Sequence, residues 1–268
     1  MPYCENKAQQ LYYEVHGEGK PVFFIHSYLT SIDLWRAQID HFAKSYRVIA
    51  MDLRGHGQSS ISQPHSLYDM VDDACTVLDA VGVQRAVWCG LSIGGMISMR
   101  AALQCPTRVG GLALFATSSE HEFLHVIIER RILAVLARTV GLNPMVGQVI
   151  KKNFGKTAIR RQPGLIAEWR SRFLALHVPS MLNTLDALIT RDNVASALAG
   201  FAGPALVVHG NEDKAIHPKG ADITHRAFRD CEYIKMKPAG HLVSLEHPEE
   251  VTGYLENFLS TRCKDAWA

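Results

Sequence analysis

Ser92 stands at the centre of the stretch Cys89-Gly90-Leu91-Ser92-Ile93-Gly94-Gly95, with glycine two residues before it and two after. A largely apolar run, residues 85–89, enters this stretch, and a helical pattern, residues 93–104, leaves it. Gly-x-Ser-x-Gly between a strand and a helix is the spacing of a nucleophile elbow, a turn so sharp that the serine backbone is strained and its hydroxyl stands clear of the sheet. Both glycines are expected because a Cβ there would strike the neighbouring strand or helix. The turn also sets Ser92 at a helix N-terminus, where free N–H groups and the dipole favour negative charge. The Ile93 N–H is therefore a natural donor to an oxyanion.

A serine hydroxyl is a weak nucleophile at neutral pH and needs a base within hydrogen-bond reach. Thirteen histidines compete for that role. His241 is the strongest, because it lies in a loop directly after the last strand pattern, and open α/β sheets assemble their sites at the carboxyl ends of strands. Asp213 follows a strand pattern in the same way and is the expected acid, fixing the histidine tautomer and stabilising the imidazolium. Glu212 beside it and Glu120 after the preceding strand are alternatives. The order Ser92, Asp213, His241, each after a strand end, is what a Ser-His-Asp triad on such a sheet requires.

The elements that would hold these residues alternate regularly at first. Residues 3–5 and 11–16 read as an N-terminal hairpin, 21–26 as an apolar strand buried on both faces of a parallel sheet, and 46–51, 85–89 and 109–116 as further strands. Residues 32–42 and 67–81 are helical in period, the second with Met70, Val71, Ala74, Val77 and Leu78 inward and its acids outward. This βα alternation predicts right-handed crossovers. It stops at residues 118–200, which read as almost wholly helical, at 123–140, 144–154, 163–176 and 181–190, and are too long for a connection within a compact domain. The expected organisation is a sheet core over 1–117 and 201–268 with an inserted helical lid over 118–200. The sheet resumes at 204–209 and 232–236, with helices at 219–228 and 248–260.

Composition narrows the partners. The 268 residues carry 28 basic and 26 acidic side chains, a formal charge of +2, so neither nucleic acid nor an anionic membrane is expected. Six cysteines without a C-x-x-C pair read as reduced thiols, and neither a secretory signal nor a membrane span is visible, so a cytoplasmic protein is expected. His121 and His125 share one helix face without a third ligand, so no metal is expected. Asp52-Leu53-Arg54-Gly55-His56-Gly57 reads as a structural turn, not a phosphate cradle.

The segments Ile25-His26-Ser27-Tyr28, Trp35, Asp52 to Ser59, Gly90 to Met96, Gly210-Asn211-Glu212-Asp213 and Gly240-His241 resemble the α/β-hydrolase superfamily over essentially the whole chain, and most of all its enol-lactonase, esterase and cofactor-free haloperoxidase group. The resemblance implies a mostly parallel eight-stranded sheet flanked by helices, no cofactor, and a second oxyanion N–H from Tyr28, two residues after His26. Many members have glycine where this chain has Ser27; enol-lactonase-like sequences also carry serine there. Ser27, Phe123, Met145, Phe154, Trp169 and Met181 are the expected pocket residues, with Leu182 beside them on the lid. The expected activity is hydrolysis of a small, largely apolar ester or lactone through an acyl-enzyme on Ser92. Carbon–carbon bond hydrolysis and perhydrolysis would use the same triad, and a non-catalytic ligand receptor on the same scaffold is the reading from another class. For assembly, a homodimer is left open.

Overall fold

Continuous apolar runs bounded by turns give the sheet its central strands. In the computed structural model, which describes residues 2–267, eight strands form one sheet: β1 (Tyr3–Asn6), β2 (Gln9–His16), β3 (Pro21–Ile25), β4 (Arg47–Met51), β5 (Ala86–Leu91), β6 (Val109–Phe115), β7 (Ala205–Gly210) and β8 (Cys231–Met236). Their order is β1-β2-β4-β3-β5-β6-β7-β8. The β1–β2 and β2–β4 pairs are antiparallel and all others parallel. Strands β5, β6 and β7 are buried along their whole length, the condition of strands covered on both faces.

The helices are α1 (Arg36–Phe42), α2 (Leu67–Ala80), α3 (Ile93–Gln104), α4 (Leu124–Val140), α5 (Val146–Asn153), α6 (Lys156–Arg161), α7 (Pro163–Leu174), α8 (Val178–Ile189), α9 (Pro218–Ala227), α10 (Val243–Glu246) and α11 (Pro248–Thr261). Alternate strand side chains enter two apolar layers. Phe23, Ile25, Trp88 and Leu114 pack with α2, α3 and α9. Phe24, Val87, Phe115 and Val208 pack with α1 and α11, and with α5 and α7. Five helices, α4 to α8, therefore lie between β6 and β7, where the strand pattern lapses.

Helix α2 starts at a capping box: Ser66 Oγ accepts from the Asp69 N–H, and the Asp69 carboxylate accepts from the Ser66 N–H. One acid of α2 departs from the expected outward face. Asp73 is fully buried, because Arg54 clamps it at 2.6 Å and 2.7 Å and Asn6 donates to it at 2.8 Å. The turn after β4 is held from within by Asp52, whose carboxylate accepts from the Ile32 and Gln58 N–H groups at 2.8 Å each. A Cβ on Gly57 (φ +51°) would lie 2.0 Å from that carboxylate, so glycine is obligatory there.

Candidate active site

Strand β5 hands over to α3 in a single residue. Ser92 has φ 55° and ψ −113°, a conformation a non-glycine residue keeps only when its surroundings dictate it. They do so on both sides: the Ser92 N–H donates to Phe115 O at 2.8 Å, and Thr117 Oγ1 donates to Ser92 O at 2.7 Å. A Cβ on Gly90 would lie 2.3 Å from the Gly94 backbone, and one on Gly94 would lie 2.3 Å from Ile25 O. The elbow can therefore pack against β3 only with both glycines in place.

The loop after β8 carries His241, which is 2% exposed. A carboxylate only accepts, so His241 Nδ1 donates to Asp213 Oδ2, at 2.8 Å. The other oxygen, Asp213 Oδ1, accepts from the Ala215 and Ile216 N–H groups at 2.8 Å and 3.0 Å. With Nδ1 engaged, Nε2 is the free nitrogen of the ring. Glu212, the neighbouring alternative, is occupied elsewhere: it accepts from Thr157 N and Oγ1 at the start of α6, at 2.8 Å and 2.9 Å. Glu120 lines the cavity described below. His209 lies behind Asp213, its Nε2 3.6 Å from Oδ2. Burial lowers its pKa and keeps it neutral, so it leaves the Asp213 charge to His241.

His26, with Thr30 and Glu246, which the sequence reading passed over, sets these loops. His26 Nε2 accepts from the Leu53 N–H at 2.9 Å, so the ring proton is on Nδ1, which donates to Ser27 O at 2.7 Å. Thr30 Oγ1 donates to the same carbonyl at 2.8 Å. In a trans peptide the N–H points opposite to the C=O, so tethering Ser27 O turns the Tyr28 N–H the other way. The Tyr28 hydroxyl donates to Met181 O at 2.9 Å, joining this loop to α8. Glu246 accepts from the Gly240 N–H at 2.9 Å and the Gly155 N–H at 3.1 Å, bracing the His241 loop against the start of α6. The sequence carried only a weak signal for these positions, an isolated acid or hydroxyl beside apolar residues.

Ser92, His241, Ser27 and Tyr28 line one cavity of about 640 Å³ roofed by α4 and α8. Of the expected pocket residues, Phe123, Met145, Met181 and Leu182 also line it. Phe154 and Trp169 do not. They are 1% and 2% exposed and pack with Val146, Ile150 and Phe173 in an apolar layer, because their helices turn those faces to the core. His121 and His125 line the cavity and flank the Phe123 ring, His125 stacked on it at 6.0 Å between centroids. The Ser27 hydroxyl is buried without a hydrogen-bond partner among the described residues. Arg130 and Arg191, which sequence reasoning did not single out, face the cavity and share Glu122 at 3.1 Å each.

This sheet order, with an elbow after β5 and a helical excursion between β6 and β7, is the α/β-hydrolase fold, and residues 20–139 match the family model described as the alpha/beta hydrolase fold. The chain is an α/β-hydrolase-fold protein that resembles the enol-lactonase and esterase group. It is 28% identical over 263 residues to the protein assigned as carbamate hydrolase RutD in Azorhizobium caulinodans, covering 96% of this chain and 98% of that one. The crystal structure of the enol-lactonase from Burkholderia xenovorans LB400 superposes with a TM-score of 0.90 at 26% identity, over 97% of this chain and all of the other. Est816, described as an N-acyl homoserine lactone degrading enzyme, matches with a TM-score of 0.83 at 29% identity, over 96% and 100% of the two chains.

Proposed function

We propose that the protein is a serine hydrolase that cleaves a carboxylic ester or lactone of a small, largely apolar compound. The observation that carries this reading is the pairing of a strained elbow serine and an Asp213-bound histidine on one cavity wall. In this account Ser92 Oγ attacks the substrate carbonyl while His241 Nε2 takes its proton. Asp213 holds the ring and stabilises the imidazolium. The oxyanion is met by the N–H groups of Ile93 and Tyr28, and each such donor is typically worth about 2.7–4 kcal/mol in the transition state. His241 then protonates the leaving alcohol and activates the water that releases the acyl group. Helices α4 to α8 act as a lid, and Leu133, Leu182 and Leu185 give the acyl chain an apolar wall. The names of two relatives, an enol-lactonase and an N-acyl homoserine lactone degrading enzyme, support acyl-oxygen cleavage over the other reactions open to such a triad.

The test is turnover of a panel of short p-nitrophenyl esters and γ-lactones by the wild type and by Ser92→Ala. Turnover that falls on the order of 10⁶-fold in the variant is expected where the nucleophile is removed. Comparable turnover by the two proteins would overturn the assignment.

A further inference from the structure

Large apolar side chains that stand in solvent are concentrated on one helix. Leu124, Ile128, Ile132 and Val135 of α4 are 72%, 52%, 57% and 60% exposed. Their spacing of four, four and three residues puts them in a single stripe along the outer face. The inner face of the same helix, with Leu133, Ala134 and Ala137, lines the cavity. A helix apolar on opposite faces needs cover on both, and within the chain α4 is covered on one. Charge says what covers the other. Arg131 and Arg138, seven residues apart, border the stripe on one side; both are exposed and neither forms an ion pair among the described residues. On the other border Glu129 is neutralised by Lys152 at 2.6 Å, and Glu122 is buried against Arg130 and Arg191. The outer face is thus apolar and cationic, without a free carboxylate.

We propose that this face of α4 docks on an anionic lipid surface, the helix lying along the boundary between headgroups and acyl chains. A second copy of the chain is a poorer occupant, since it would bring the same two arginines and no carboxylate to meet them. The near-zero charge of the whole chain gives no hint of this, because the asymmetry is confined to one helix. No helix among the described residues is long and apolar enough to cross a membrane, so the contact is one of surface docking. It rests on the outer face alone and does not depend on the reaction assigned to the cavity.

The experiment is co-sedimentation of the full chain with vesicles of phosphatidylcholine alone and of equimolar phosphatidylcholine and phosphatidylglycerol. Arg131→Gln with Arg138→Gln, and Ile132→Gln with Val135→Gln, are run beside the wild type, each first checked for an unchanged Tm. The wild type is expected to bind the anionic vesicles far more tightly than the neutral ones. Each arginine removed should weaken that binding about fivefold, and the double glutamine change in the stripe should abolish it. Absence of binding to anionic vesicles, or binding that both variants retain, would overturn the proposal. So would a solution dimer that Ile132→Gln with Val135→Gln dissociates, which would make the face an interface between copies.

Discussion

A single residue decides most here when its hydrogen-bonding has no slack. His26 is fully buried, accepts from Leu53 at Nε2 and donates from Nδ1, so a second proton has no place on the ring. Burial, aided by the neighbouring His56, pushes its pKa from 6.5 down to about 3, and burial takes His56 down to about 4. The unfolded chain therefore takes up protons below about pH 6.5 that the folded chain refuses, and stability is lost as the pH falls from there towards about 3. Asp52 works in the opposite sense over a narrower window, since burial raises its pKa from 3.8 to about 6. The expected outcome is a Tm that declines from pH 7 to pH 5, with a shallower decline in His26→Asn; parallel slopes in the two proteins would contradict it. The adjacent acids separate equally clearly. Asp213→Asn should reduce kcat on the order of 10⁴-fold by favouring the wrong histidine tautomer. Glu212→Gln, whose partner is Thr157, should stay within a few-fold of wild type in the same steady-state assay.

Elements were legible in the sequence where one pattern ran without interruption. The strands β3, β4, β5 and β7 stood out as apolar runs, and the inward face of α2 could be read from its period. The elbow was legible because its glycines answer a backbone requirement that needs no knowledge of distant parts: a Cβ on Gly94 meets Ile25 O at 2.3 Å. Gly94→Ala should accordingly destabilise the protein by about 1–3 kcal/mol, the usual range for overpacking, as read by urea unfolding. What depends on distant packing could not be read. Asp73 looked solvent-facing until Arg54, nineteen residues away in sequence, was brought against it. Phe154 and Trp169 looked like pocket residues because an aromatic residue in a helical segment carries no mark of which way the helix is turned. Asp213 could not be separated from Glu212 by position alone, and it was Thr157, from the helical segment, that took one of them.

Across the whole molecule, the sheet and the helical segment share an apolar layer and are also tied by charged contacts. Arg100 of α3, 1% exposed, donates from Nε and Nη2 to Asp192, where the chain leaves α8 and returns towards β7. Asp192→Ala leaves that guanidinium buried with carbonyl acceptors only, and should cost about 1–3 kcal/mol in urea unfolding; an unchanged midpoint would show that the junction does not depend on the pair. Because α3 begins directly after Ser92, this contact also ties the proposed nucleophile to the lid that would cover it. The central claim is that fold and lid together present one activated serine. Its most direct test is the intact mass of the full chain after exposure to a small fluorophosphonate, with peptide mapping and Ser92→Ala alongside. The account predicts a single adduct, mapped to Ser92 and absent from the variant. An unmodified wild type, or an adduct that persists in Ser92→Ala, would contradict it.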